Sequence, residues 1–259
     1  MDIMTIIKYF LLGAIQGFTE PLPISSSAHM IIASHFLKIN EVDLDFEIFI
    51  HFASFLAILI YFIPDLIHLL KNLRKNQESK IEIINLLIAS LPAAIIGLLL
   101  KNWINQNFIN LKSASFFLIF TSFLLLISSF LIKSASKKNI TPLNSIIIGI
   151  WQGIALLPGI SRSGATIFGG IIQKIDLKRI LKFSFLLYLI ASFGALLLAL
   201  FDYTPHNLNS IQILITFISA FIGTSIAIRW LFNIISKRSL QFFSLYTALL
   251  GICLLISIL

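Results

Sequence analysis

A carboxylate, three consecutive hydroxyls and an imidazole fall within ten residues, at Glu20, Ser25, Ser26, Ser27 and His29, with Gln16 and Gly17 just before them in the run QGFTEPLPISSSAH. A second cluster, PGISRSGAT, holds Pro158, Gly159, Ser161, Arg162, Ser163, Gly164 and Thr166. Both interrupt apolar sequence, where ionisable side chains are costly unless paired or functional. In the second cluster glycines let backbone N–H groups approach a ligand, hydroxyls donate, and arginine offers a planar fork suited to phosphate. Each cluster leads into a short helix, whose N-terminus adds open donors and positive potential. Together they are suited to chemistry on an oxyanion. Blander readings exist: Ser25 or Ser26 as a helix cap, His29 as a bundle hydrogen bond, Arg162 as a tie to Glu20. Each explains one residue, and none explains both constellations.

The elements that carry these clusters must work in lipid. The chain is 58% hydrophobic and 12% charged, with a mean hydropathy of +0.98, whereas soluble domains are about 45–50% apolar and about 25% charged. Six stretches, at about 44–63, 81–100, 113–132, 180–201, 211–232 and 240–258, approach the roughly 20 residues that cross a bilayer. Two further segments, 3–37 and 143–172, are broken at Pro21–Ser27 and Pro158–Gly164. A half of about 15 residues spans only about 22 Å, so each is expected to be a re-entrant hairpin, its tip enclosed by protein.

Residues pair at a constant offset of 136: Gly13, Gln16, Gly17, Ile24, Ser25 and Ser27 match Gly149, Gln152, Gly153, Ile160, Ser161 and Ser163. Three spans separate the hairpins, so the halves, about 1–135 and 136–259, are expected to be inverted copies within one membrane domain, 1–259. The fold class is therefore an all-α membrane protein with six transmembrane helices plus two re-entrant helical hairpins in two inverted repeats.

Charge orients this drawing. One side collects fourteen Lys and Arg, from Lys71 to Arg238, and the other three, Lys38, Lys101 and Lys112, with Asp2, Glu41, Asp43, Asp45, Glu47 and Asp202. The first side is expected in the cytoplasm and both termini outside. The net charge of +8 reflects this asymmetry, and no basic face for nucleic acid is expected. Cys253 is the sole cysteine, so neither a disulfide framework nor a thiolate metal site is expected. The first apolar segment lacks a basic n-region and a small-residue cleavage site, so it reads as mature protein rather than a signal peptide.

The pattern Q-x-x-x-E, then P-x-S-S-x-x-H, then P-G-x-S-R-S-G-A-T resembles the undecaprenyl-diphosphate phosphatase family, of bacitracin-resistance type, over effectively the full chain. Gln16 occupies a position where that family accepts Glu or Gln, Pro21 replaces a usual aromatic, and Ser27-Ala28 a usual Thr-Gly. The resemblance implies hydrolysis of a C55 isoprenoid diphosphate to the monophosphate in the bacterial inner membrane, recycling the carrier lipid for peptidoglycan and other wall polymers. It implies a site opening toward the periplasmic or outer face, and antibiotic tolerance through competition for the lipid. It leaves a homodimer open.

A divalent cation, Mg²⁺ or Ca²⁺, is implied, with Glu20 as its main protein ligand and Gln16 assisting. Ser26 is the implied nucleophile, His29 the general base and then acid, and Arg162 the clamp on the phosphoryl group. Ser25, Ser27, Ser161, Ser163, Gly164 and Thr166 are the implied substrate binders. His29 lies one helical turn beyond Ser26 and so could approach it; direct attack by His29 or by metal-activated water is the rival route.

A transporter or flippase is the alternative class, since inverted repeats and broken helices are transporter architecture. The membrane acid phosphatases also use a Ser-Arg pair but need a later His, which SGATIFGGIIQK lacks. Elsewhere Glu47 and His51, four apart, either line an entrance or pair with each other. Gly13 with Gly17, and Gly149 with Gly153, read as close helix packing.

Overall fold

In hydrocarbon every backbone polar group must find a partner inside the chain, and helices provide that locally. The computed structural model describes residues 3–39, 44–201 and 210–258, and these are overwhelmingly α-helical. In chain order the helices are α1 (Ile3–Thr19), α2 (Ser26–Leu37), α3 (Leu44–Asn72), α4 (Gln77–Phe108), α5 (Leu111–Leu131), α6 (Pro142–Ile154), α7 (Arg162–Ile171), α8 (Leu177–Phe201), α9 (Ser210–Ile234) and α10 (Lys237–Ile258). The only pairing of extended backbone among them is an isolated bridge between Lys137 and Ile175.

Six of these helices, α3, α4, α5, α8, α9 and α10, are long and apolar enough to cross a membrane, as the sequence suggests. Their ends differ from expectation in one instructive place. The apolar stretch 44–63 stops before Pro64, yet α3 continues through Pro64 to Asn72, and α4 likewise contains Pro92. A proline inside a membrane helix is tolerated because neighbouring groups re-satisfy the freed carbonyl, so neither proline ends its helix. Asp2, Glu41, Asp43 and Asp202, counted above on the outer side, lie outside the described residues, as do the side chains of Asp45 and Glu47.

The remaining helices are short: 17, 12, 13 and 10 residues for α1, α2, α6 and α7. At 1.5 Å per residue the longest measures about 25 Å, less than the about 30 Å of hydrocarbon. Each pair is separated by a short irregular link, 20–25 and 155–161. Local chemistry sets these ends. Ser25 caps α2 by accepting from the Ala28 N–H, and Ser161 caps α7 by accepting from the Gly164 N–H at 3.2 Å. α6 opens with a capping box, Thr141 with Asn144, and Pro142 in its first turn.

The first helix of each broken pair is held by backbone-close packing on a long helix of the other half. α1 lies on α9, where a Cβ added at Gly17 would sit 2.3 Å from the Ala220 carbonyl oxygen. α6 lies on α4, where a Cβ at Gly149 would sit 2.4 Å from the Ala89 carbonyl oxygen. These are the small residues that the sequence marked for close packing. α5 and α10 form a third close pair, with Gly251 against the Ser115 carbonyl and the Ser122 and Ser244 hydroxyls 3.1 Å apart.

At the strongly basic end, α8 is tied to α4 by Arg179 on both carboxylate oxygens of Glu82, and to α3 by Lys182 on Asp65. Arg179 also donates to the Lys138 carbonyl at 2.9 Å. The buried core runs through Ile58, Phe62, Ile167, Ile180 and Phe183. Large apolar side chains such as Leu99, Phe123 and Phe130 face outward, which suits a lipid solvent and not water.

Substitution at the α1–α9 contact should separate packing from helix propensity. Gly17→Val places methyls against backbone that cannot move aside and is expected to cost about 1–3 kcal/mol or more, as overpacking does. Gly194→Ala on α8, where an added Cβ meets nothing within 4 Å, should instead be neutral or stabilising by up to about 1 kcal/mol. Melting followed by fluorescence-detected size exclusion in detergent reads both.

Candidate active site

The link between α1 and α2 folds back because Ser25 adopts φ 68, a left-handed conformation that non-glycine residues hold only when their surroundings enforce it. Its carbonyl is gripped by the His29 ring, with Nδ1 at 2.7 Å. The turn brings Ser26, at the head of α2, back onto the end of α1, and the Ser26 hydroxyl donates to Glu20 Oε2 at 2.5 Å. Gln16, one turn before Glu20 on α1, donates its amide to the same oxygen at 2.9 Å. The Glu20 side chain is 4% exposed, so these donors replace much of the water it has lost.

The link between α6 and α7 approaches from the other half. Gly159 takes φ +112, and a Cβ there would sit 2.6 Å from the Phe117 Cβ, so conformation and space both require glycine. Its N–H donates to the Ser27 hydroxyl at 3.2 Å, and the Ser163 hydroxyl donates to the Leu22 carbonyl at 3.3 Å. The two links are thus stitched together. Thr121 on α5 fastens the second by donating to the Gly159 carbonyl at 2.9 Å and accepting from the Ser161 N–H at 3.0 Å.

Between the links lies a cavity of about 190 Å³, lined by Glu20, Ser25, Ser26, Ser27, His51, Ser161, Arg162, Ser163, Ser184 and Tyr188 with apolar Leu22, Leu156 and Phe185. On the same measure one water needs about 10–15 Å³, so the space accepts a multi-atom polar group. The Arg162 guanidinium lies 4.8 Å over the Tyr188 ring, and its Nη1 donates to the Ser192 hydroxyl at 3.1 Å. That fixes the fork by stacking and one hydrogen bond. The N–H groups of residues 26, 27, 162 and 163 stand in the first turns of α2 and α7, where a helix has no acceptor of its own.

Of the residues singled out in the sequence, Glu20, Ser25, Ser26, Ser27, Ser161, Arg162 and Ser163 therefore meet in one cavity. Gln16 reaches it through Glu20. Gly164 serves the Ser161 cap. Thr166 is fully buried and bonded to the Arg162 and Ser163 carbonyls and to Ser184, 2.6 Å away, so it supports the wall.

His29 is not brought to Ser26. Its Nδ1 is on the Ser25 carbonyl, and its Nε2 is 2.7 Å from the Tyr246 hydroxyl, with the two rings stacked. Both nitrogens are engaged away from the cavity. One turn of helix set the right spacing for approach, but the ring turned toward the carbonyl of a left-handed residue.

His51, read from the sequence as lining an entrance or pairing with Glu47, lines the cavity, and Tyr188 lines it without having been singled out. His51 Nδ1 lies 3.2 Å from Gln16 Nε2 and 3.9 Å from Glu20 Oε2. An amide NH₂ only donates, so Nδ1 accepts, and 3.9 Å is too long for a hydrogen bond. Ser184, Tyr188 and Ser192 recur every four residues on α8, a polar stripe on one helix face that the sequence did carry.

The residues fit a divalent cation on one specific observation. Gln16 is fully buried, yet its side-chain Oε1 has no hydrogen-bond partner, and such orphans are rare unless something unseen binds them. An oxygen donor beside a buried carboxylate is what a hard cation takes.

The family profile described as bacitracin resistance protein BacA matches residues 9–253. Undecaprenyl-diphosphatase 2 of Bacillus thuringiensis (strain Al Hakam) is 38% identical over 262 residues, covering 97% of each chain. Undecaprenyl-diphosphatase 1 of Bacillus licheniformis is 37% identical over 268 residues, covering 99% of each, and the undecaprenyl-diphosphatase of Oceanobacillus iheyensis is 34% identical over 267 residues, covering 97% of this chain and 96% of that one. Matched along nearly its whole length by the profile and by relatives at this identity, the chain belongs to the BacA family of bacitracin resistance proteins.

Proposed function

We propose that this protein hydrolyses undecaprenyl diphosphate to undecaprenyl phosphate and inorganic phosphate. The carrying observation is the Ser26 hydroxyl held 2.5 Å from the Glu20 carboxylate in a cavity that also holds Arg162. A nucleophile, a proton acceptor and a fixed guanidinium are more than a binding site needs. The relatives' names supply the substrate, and the apolar spans supply the lipid setting it requires.

In this reading Ser26 Oγ attacks the terminal phosphorus while its proton passes to Glu20. A Ser–O–P bond forms and the bridging P–O bond breaks, its electron pair leaving with the prenyl monophosphate. Water then attacks the phosphoseryl group, its O–P bond replacing the serine's, and the serine oxygen recovers its proton from Glu20. Arg162 and the first-turn N–H groups of α2 and α7 neutralise charge on the equatorial oxygens, which is most of what phosphoryl transfer asks of a protein. A divalent cation held by Glu20 and the Gln16 carbonyl would supply further neutralisation of phosphate charge. His29 positions the serines by holding the Ser25 carbonyl, and Ser25, Ser27, Ser161 and Ser163 serve the headgroup.

The membrane placement we infer is two re-entrant hairpins, α1–α2 and α6–α7, in inverted halves of the bacterial inner membrane, with the site reached from the outer face. Reciprocal packing supports it: α1 rests on α9 as α6 rests on α4, each through paired glycines. The side with Arg179, Lys182, Lys137 and Lys138 is the cytoplasmic one by its basic excess.

Purified protein in detergent should release phosphate from a C55 diphosphate, where no vectorial transport is possible. Ser26→Ala and Glu20→Gln are each expected to lower kcat by about 10²–10⁴, the range for losing a positioned proton acceptor or its nucleophile. Absence of release from folded wild-type protein would remove the phosphatase reading and favour a transporter.

Arg162→Lys keeps the charge but loses the fork and the Tyr188 stacking. A drop in kcat of about 10²–10³, as for loss of one oxyanion donor, is expected with unchanged melting. Near-normal kcat in the lysine variant would show that a point charge suffices.

A further inference from the structure

Gln16 Nε2, Glu20 Oε2 and His51 Nδ1 form a triangle with sides of 2.9, 3.2 and 3.9 Å. Two of its corners are acceptors, a carboxylate oxygen and an imidazole lone pair, both converging on one electropositive amide. Behind that amide its own oxygen is buried and unpartnered. Rotating the amide by 180° exchanges its two ends. The stranded oxygen would then take the nitrogen's place, and three lone-pair donors would face a common centre. Without a cation that arrangement sets an oxygen against a carboxylate, so the rotation and the binding of a positive ion are one event.

The point equidistant from the triangle's corners is about 2.0 Å from each, against about 2.0–2.1 Å for Mg²⁺–O and for a Zn²⁺–imidazole bond and about 2.3–2.6 Å for Ca²⁺. The two shorter sides match neighbouring ligands of an octahedral ion, and the longest is close to an opposed pair. Imidazole is a poor donor for Mg²⁺ and Ca²⁺ but suits first-row ions. We propose that His51 is the third protein donor of a divalent-cation site, with Glu20 and the Gln16 side-chain carbonyl, and that its nitrogen lets the site take a first-row ion such as Mn²⁺. The inference rests on the phosphatase reading for the purpose of the ion, which lies where the phosphates would be held.

Two features make the site workable. The His51 side chain is 42% exposed, leaving an entry path and room for water or phosphate oxygens to complete the coordination. An ionised carboxylate offers about four lone-pair sites, so Glu20 can hold an ion and still accept from Ser26.

The test needs no lipid. Full-length protein purified in detergent is titrated with Mn²⁺ alone, and bound ion is read by electron paramagnetic resonance with detection of directly coordinated ¹⁴N. Saturable binding with imidazole ¹⁴N coupling is expected. His51→Ala should abolish the coupling and weaken Mn²⁺ by at least about tenfold while changing Mg²⁺ affinity little, and His29→Gln should keep the coupling. His51→Asn, closer in shape, and unfolding temperatures guard against loss of fold. Mn²⁺ bound without ¹⁴N coupling, coupling that survives His51→Ala, or no saturable binding overturns the proposal. Coupling without phosphate release from the lipid would sink the phosphatase reading alone, and phosphate release without coupling would sink this site alone.

Discussion

The Glu20 carboxylate has to exist in a place where water hardly reaches. Moving a carboxylate out of water costs several kcal/mol even after the protein relaxes, and here the compensation comes from three directions. Ser26 and Gln16 donate to one oxygen, and the Arg162 guanidinium adds positive potential from another helix. Because those groups sit on α1, α2 and α7, the carboxylate is compensated only when both broken segments meet. The charge therefore acts as a register pin for the bundle as well as a reactive group.

Meeting alone does not suffice, since the links contain non-helical backbone that must be bonded by protein. The cross-links between the links, from Gly159 to Ser27 and from Ser163 to Leu22, meet that need with the same hydroxyl-bearing residues that line the cavity. In lipid there is no hydrophobic force pressing helices together, so association relies on close packing of small residues and on interhelical hydrogen bonds. Glycines on α1 and α6 supply the first and the serines of the links supply the second. A residue such as Ser27 thus has a structural bond and a cavity-facing position at once, and the two roles need not be assigned to different side chains.

The long spans, the two breaks and the meeting of Glu20, Ser26 and Arg162 were legible in the sequence because each rests on a local signal: unbroken apolar length, Pro-Gly-Ser punctuation, and ionisable residues that apolar sequence cannot otherwise hold. What stayed hidden depends on tertiary direction. His29 has the spacing to reach Ser26, yet its ring follows the Ser25 carbonyl, whose orientation comes from a backbone angle that spacing does not reveal. Spacing left His51 either lining an entrance or pairing with Glu47, whose side chain lies outside the described residues, and gave no sign of Gln16, 35 residues away in sequence. Tyr188 was one aromatic among many until Ser184 and Ser192 were seen to share its face. The stretch 44–63 ended before Pro64, a stop only under rules drawn from water-soluble helices.

The proposed duplication also accounts for a feature that is otherwise a defect. At the offset of 136, Ser26 corresponds to Arg162, Ser25 and Ser27 to Ser161 and Ser163, and Glu20 to Leu156. Nucleophile and clamp would be the same position in two copies, brought face to face because one copy is inverted. The second copy retains the glutamine, as Gln152, but has leucine where its carboxylate partner would stand. Gln152 is 2% exposed, and both ends of its amide lack a hydrogen-bond partner. An orphaned amide is expensive, and in the proposed duplication it stands where the first copy pairs its glutamine with Glu20. Two carboxylates in one such cavity would repel each other and the phosphates, whereas one carboxylate opposite one guanidinium leaves room for a dianion. In that proposal a single acid is part of what would turn two like halves into one site.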